Sequence, residues 1–120
     1  MSPNTVKADC LFCGIIAGEI PSTRVHEDDV VVAIRDINPQ ASTHILLMPR
    51  DHVASADDLT AEHAQLLGRT FEVAARLARS EGIAADGYRI VTNIGRNGGQ
   101  TVDHLHFHLL GGRRFSWPPG

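Results

Sequence analysis

Apolar and polar positions along the chain divide it into short extended runs and one long periodic stretch. Residues 23–26 and 30–37 read as two strands, and the acidic turn Glu27-Asp28-Asp29 between them predicts a hairpin. Residues 30–34 are apolar throughout, which predicts a central strand. Residues 43–48 read as a third strand, stopped by Pro49. Leu67, Phe71, Ala74, Leu77 and Ala78 recur at helical spacing. They predict one long helix that starts in the polar cluster 55–60 and ends at Gly82. Ser55 with Asp58, or Asp58 with Glu62, could cap it, and His63 near its start should be solvated. Residues 88–93 are the next strand. From His104 to Leu110, large apolar residues alternate strictly with histidines, the mark of a half-buried last strand. Ahead of all this, residues 10–18 read as a short helix closed by Gly18, with Ile20-Pro21 ending it. Residues 111–120 carry Pro118 and Pro119 and should form an extended arm. Its Trp117, the only tryptophan, suggests docking on the domain or on a partner. Hairpins plus one helical crossover predict an α+β domain with a mainly antiparallel sheet.

The chain has 120 residues, the size of one domain with a real core. Apolar content of 42% and charged content of 21% are ordinary for a globular protein. The net charge of −3 argues against capture of a nucleic acid polymer, although a nucleotide could bind through local donors. Residues 1–8 should be flexible and carry no apolar signal core. No run approaches the ~20 apolar residues of a membrane span, so a cytoplasmic protein with reduced Cys10 and Cys13 is expected.

The alternation puts His104, His106 and His108 on one strand face, roughly 6.5–7 Å apart in succession. Two such imidazoles could flank a reacting atom, but three spread over about 13 Å cannot share one ion. Cys10-Leu-Phe-Cys13 is compatible with half a zinc site, a redox pair or core filler; no thioredoxin-like context supports the redox reading. Asp36, at a strand end before a loop, is either a solvated turn acid or an acceptor for a ligand's hydroxyls. His44 and His52 lie within nine positions of each other. The loop Gly95-Arg-Asn-Gly98-Gly99-Gln100-Thr101 joins Asn93 to the histidines, and its glycines let backbone amides approach an anion.

Taken together, Cys10-Leu-Phe-Cys13, Asp36-Ile37, His44, His52, Asn93, Gly99-Gln100-Thr101, the 104–110 run and the Trp117-Pro-Pro-Gly ending resemble the histidine triad (HIT) family, in its nucleotide-binding branch. The resemblance implies a single HIT domain over 1–120. It also implies a five-stranded sheet with one long and one short helix, and a homodimer forming a ten-stranded sheet. The implied activity is hydrolysis of purine nucleoside 5′-phosphoramidates, of the AMP or GMP type, through a nucleotidyl-histidine intermediate. The implied nucleophile is His106, as a neutral imidazole whose ring is open to solvent and free of metal. His108, Asn93, Gly99 and Thr101 are implied phosphate ligands, and Gln100 should lie near the water or leaving group. Asp36 should accept the ribose hydroxyls and Ile37 should hold the base. His44 should support the phosphate contacts, and Trp117 should reach the partner's site. Cys10, Cys13, His52 and His104 match a structural zinc site of some bacterial relatives. Asp103, where relatives often carry an apolar residue, should face away from the histidines. The alternatives are a dinucleoside polyphosphate hydrolase, a metallohydrolase with zinc on His104 and His106, and a non-catalytic nucleotide-binding scaffold.

Overall fold

The computed structural model describes residues 9–120; the segment 1–8, expected to be flexible, lies outside them. Helix α1 spans Leu11–Ile16, and strands β1 (Arg24–Glu27), β2 (Val31–Arg35) and β3 (Thr43–Pro49) follow. Helix α2 covers Ala64–Ser80, then come β4 (Tyr88–Val91) and β5 (Phe107–Gly111). The five strands form one sheet in the order β1-β2-β3-β5-β4, and every neighbouring pair is antiparallel. The expected α+β fold with a five-stranded sheet is therefore present.

The continuous apolar runs of β2 and β3 follow from cover on both faces of the sheet. On one face Val31, Ala33, Ile45, Leu47 and Leu109 pack against Val73, Ala74, Leu77 and Ala78 of α2. On the other, Val32, Ile34, Leu46 and Met48 pack against Phe12 and Ile15 of α1. Each fully buried aliphatic side chain contributes about 1.5–3 kcal/mol. Gly82 follows α2 with a φ of 76°, the left-handed turn that ends a helix. Among the described residues no helix is long and apolar enough to cross a membrane.

Strand β3 ends at Pro49 as expected, with the proline itself as its last residue, paired with Val31. Several other expectations shift. The polar cluster 55–60 does not open α2 directly. Ser55 and Thr60 each cap a separate 3-10 turn, Ala56–Asp58 and Ala61–His63, because each hydroxyl accepts the N–H two residues on. His63 is not simply solvated: its Nδ1 accepts the Thr60 N–H at 2.9 Å in a reciprocal cap. Trp117 does not dock on its own domain and is 85% exposed. The arm that carries it is pinned instead by Arg89, which donates to Ser116 O at 2.9 Å, and by Arg113, whose guanidinium lies over the Phe115 ring.

The largest correction concerns the histidine strand. β5 begins at Phe107, so only His108 of the three histidines lies in it. His104 and Leu105, neighbours in sequence, are both buried, which departs from the half-buried alternation expected of this stretch. The physical reason lies in their hydrogen bonds. Leu105 N–H donates to Val53 O at 2.6 Å, and His104 O is taken by the side chain of His106. The backbone of 104–106 is thus held by a loop and by its own imidazole instead of a neighbouring strand.

Candidate active site and metal cluster

The three imidazoles do not form one row. Each has one ring nitrogen held by a fixed partner, and that partner decides what the other nitrogen can do. The protonation of each follows from these hydrogen bonds. His104 Nε2 donates to Pro49 O at 2.8 Å, which leaves the Nδ1 lone pair facing Cys10 Sγ at 3.3 Å and Cys13 Sγ at 3.6 Å. Burial, aided by the neighbouring His52 and His106 and opposed by the Pro49 bond, pushes the His104 pKa down to about 4. The ring is therefore neutral at pH 7.

His106 Nδ1 donates to His104 O at 2.7 Å, so its lone pair sits on Nε2. The residue is buried, 4% exposed, and not the open ring expected. Its Nε2 has no hydrogen bond among the described residues, yet no buried side-chain nitrogen or oxygen there lacks a partner. That one atom therefore reaches the surface while the rest of the ring is enclosed. Phe12 packs edge-on to it at 5.0 Å between centroids, and the Thr92 hydroxyl donates to His106 O at 2.8 Å.

His108 is linked to His44. Gln40 N–H donates to His44 Nδ1 at 3.1 Å, so His44 carries its proton on Nε2. That Nε2–H donates to His108 Nδ1 at 2.9 Å, with Asp36 Oδ2 3.4 Å away. His108 must then carry its own proton on Nε2, as a donor. Burial lowers both pKa values, against the pull of the Asp36 charge. For His108, where His106 and His44 reinforce burial, the value falls to about 4. Asp36, His44 and His108 also have the spacing of a metal-binding trio. The Gln40 contact argues against that use, because a His44 ring accepting at Nδ1 has no lone pair left on Nε2.

The glycine loop spends several of its polar groups on its own shape. Asn93 Nδ2 donates to Gly98 O at 2.7 Å, and Gly99 N–H donates to Arg96 O. Gln100 accepts from Gly95 N–H and donates to Ala54 O and Val102 O. Asp36 Oδ1 accepts the Asn38 N–H at 2.8 Å, and the adjacent Ile37 is 99% exposed. Thr101 is exposed at the end of the loop.

Cys10, Cys13, His52 and His104 bring four ligand atoms within 4.8 Å of one another. The Cys13 Sγ to His52 Nδ1 distance is 3.5 Å. A tetrahedral zinc ion with ordinary Zn–S and Zn–N bonds has ligand-to-ligand edges of roughly 3.3–3.8 Å. The spacing and the chemistry of the donors therefore fit a metal site, and His104 has the outer hydrogen bond typical of a metal-bound imidazole. His104 and His106 do not share a cluster of candidate ligands among the described residues: the His104 lone pair faces the two sulfurs, and His106 is not grouped with it; the metallohydrolase alternative loses its ligand pair. Asp103 is exposed.

Three residues that position the site escaped sequence reasoning. Phe12 was hidden as the filler of the C-x-x-C pair, and Thr92 lay one residue before the noticed Asn93. Gln40 acts through its backbone and left no signal at all.

Comparison with known proteins places this arrangement. The model of the HIT domain matches residues 17–115. A purine nucleoside phosphoramidase of Escherichia coli (strain K12) is 54% identical over 105 residues, 88% of each chain. A 14 kDa zinc-binding protein of Zea mays is 50% identical, over 92% of this chain and 87% of its own. The crystal structure of a HIT family hydrolase from Legionella pneumophila Philadelphia 1 superposes with a TM-score of 0.92 at 49% identity, covering 93% of this chain and 100% of its own.

Proposed function

The chain belongs to the HIT domain family, and from that premise we propose that it hydrolyses purine nucleoside 5′-phosphoramidates to the nucleotide and an amine. The observation that carries the reading is the His106 Nδ1–H to His104 O bond, which leaves an unprotonated Nε2 at the surface of an otherwise enclosed ring. The 54% identity to a purine nucleoside phosphoramidase supports the substrate class.

In this mechanism His106 Nε2 attacks the α-phosphorus. The P–N bond to the amine breaks, the departing nitrogen keeps the electron pair and takes a proton from solvent, and a nucleotidyl-histidine forms. Water then attacks phosphorus and gives a proton to solvent, the P–N bond to His106 breaks with its electron pair returning to Nε2, and AMP leaves with the ring neutral again. His108 Nε2–H donates to a non-bridging phosphate oxygen, where charge grows in the transition state. His44 keeps that proton in place by occupying His108 Nδ1. Asn93, Gly99 and Thr101 border the phosphate site, and Gln100 fixes the loop that faces the leaving group. Asp36 accepts the ribose hydroxyls, and the bare Ile37 side chain receives the base.

Cys10, Cys13, His52 and His104 would hold a zinc ion. A zinc ion held there would cross-link α1 to the segments carrying His52 and His104 and would take no part in the bond changes. Two copies would join through β4, the sheet edge next to β5, into a ten-stranded sheet. The exposed Trp117 would then reach the partner's site. Sedimentation at micromolar concentration should give twice the chain mass.

The decisive experiment is turnover of an adenosine 5′-phosphoramidate by wild type and His106→Ala. The variant should lose at least about a thousandfold in kcat while still binding AMP. Acid-quenched wild type should carry an AMP adduct on His106. Turnover persisting in the variant would refute the mechanism.

A further inference from the structure

Between the Cys10–Cys13 pair and His106 there are two short physical links. The first is His104, whose ring faces both sulfurs and whose carbonyl holds His106 Nδ1–H. The second is Phe12, between the two cysteines in sequence, which packs edge-on to His104 at 6.0 Å and to His106 at 5.0 Å. The two cysteines differ in access. Cys13 is buried, whereas Cys10 is half-buried and borders a cavity of about 290 Å³ lined by Asp9, Leu11, Thr101, Val102 and Asp103. The carboxylates of Asp9 and Asp103 beside it disfavour an anionic oxidant and tolerate a neutral one. The chain has no other cysteine. The Cys10 and Cys13 sulfurs lie within 4.8 Å of each other, and a disulfide requires about 2.05 Å.

We propose that the Cys10–Cys13 pair is a hydroperoxide-oxidisable switch whose state sets the aim of His106 through His104 and Phe12. This rests on the reading of His106 as nucleophile. Cys10 thiolate attacks one peroxide oxygen, the O–O bond breaks, and a sulfenic acid and hydroxide form. Cys13 thiolate then attacks Cys10 Sγ, the S–O bond breaks, and a second hydroxide leaves. Two protons from solvent turn both hydroxides to water. The two sulfurs have lost two electrons and the peroxide has gained them. A bound zinc ion loses its two thiolates and departs with its charge unchanged. As the sulfurs close on each other, they withdraw from His104 Nδ1 and drag Phe12, the residue between them, off the His106 ring. A dithiol reverses the bond by exchange.

The test titrates full-length, zinc-loaded protein with hydrogen peroxide. Zinc release, the mapped disulfide, turnover and the long-range nitrogen–proton NMR spectrum of His106 are followed together. Disulfide formation should accompany loss of zinc, and the His106 spectrum should move from a single Nδ1–H tautomer to a mixture. In parallel, kcat should fall about tenfold or more, with AMP affinity nearly unchanged. A dithiol plus zinc should restore all four readouts. Phe12→Leu should keep its zinc yet lower kcat without weakening AMP. A disulfide that leaves both the His106 spectrum and turnover untouched would overturn the coupling. Failure to form the disulfide under peroxide would overturn the switch. If the reduced, zinc-loaded enzyme turns over no phosphoramidate, the functional reading fails on its own, and the His106 spectrum still decides the coupling.

Discussion

Acid should weaken the fold well before its carboxylates protonate, and the cause is the buried imidazoles of His104 and of the His44–His108 pair. All three rings are held neutral in the folded chain, with pKa values below the ordinary 6.5; for His104 and His108 the value is about 4. In the unfolded chain they titrate near 6.5. Between these limits the unfolded chain binds protons that the folded chain refuses, so stability falls as pH drops from 6.5 and the loss is complete near 4. For His108 alone the full difference corresponds to about 3 kcal/mol. Solvent reaches part of that ring, which reduces the figure to about 1–2 kcal/mol. His104 and His44 add losses of the same sign. Carboxylates act in a lower window. Arg35 holds Glu81 below its usual 4.5, so the stability from that pair persists until the pH falls past that value. Asp28 is also held low: burial opposes its charge, but His26, the Val31 and Val30 amides and Arg69 outweigh burial. The interval from 6.5 to 4.5 therefore belongs to histidine. Urea midpoints of chelator-treated protein, taken at half-unit steps, should decline through that interval. The decline should be shallower in His108→Asn. A flat profile, or an unchanged slope in the variant, would refute the reasoning.

Two substitutions test the scaffold around the site. Gly112 has a φ of 91°, and a Cβ there would run into the Ser42 hydroxyl. Gly112→Ala should cost at least about 1–2 kcal/mol in thermal or urea unfolding, and adding Ser42→Ala should recover only the steric part. Thr92→Val removes the hydroxyl that holds His106 O. It should lose about 1 kcal/mol of stability and lower kcat while leaving AMP affinity intact, as calorimetry and turnover would show.

Most of the fold was legible in the hydrophobic pattern, because β2, β3 and α2 are decided by burial and burial leaves a periodic trace. The element order and the antiparallel sheet followed from hairpin signals and one crossover. What failed was the assumption that alternation at 104–110 meant one strand. Alternation reports which side chains are apolar. It does not report that the His104 carbonyl would be taken by a side chain two residues on, or that Leu105 would bond to Val53. The donors of the glycine loop were legible as candidates only. Their internal bonds at Gly98, Gly95 and Arg96 depend on the loop's closed shape, which no local pattern encodes.

The same side chain is put to three uses here, and nothing in the identity of a histidine selects among them. His104 gives its Nε2–H to Pro49 O, so a lone pair faces two sulfurs. His106 gives its Nδ1–H to a carbonyl, so a lone pair is left on Nε2. His108 accepts at Nδ1 from His44, so its Nε2 carries a proton instead. An attack on phosphorus needs a lone pair and a donor side by side, and two unconstrained neutral imidazoles would supply that pairing in only one of several tautomer combinations. The His106 and His108 rings stand 5.2 Å apart with that combination already set. The backbone carbonyl of His104 and the amide of Gln40 set it, and neither can be replaced by a side-chain substitution. The order of catalytic importance at this site therefore cannot be read from side chains alone: the groups that choose the chemistry belong to the main chain.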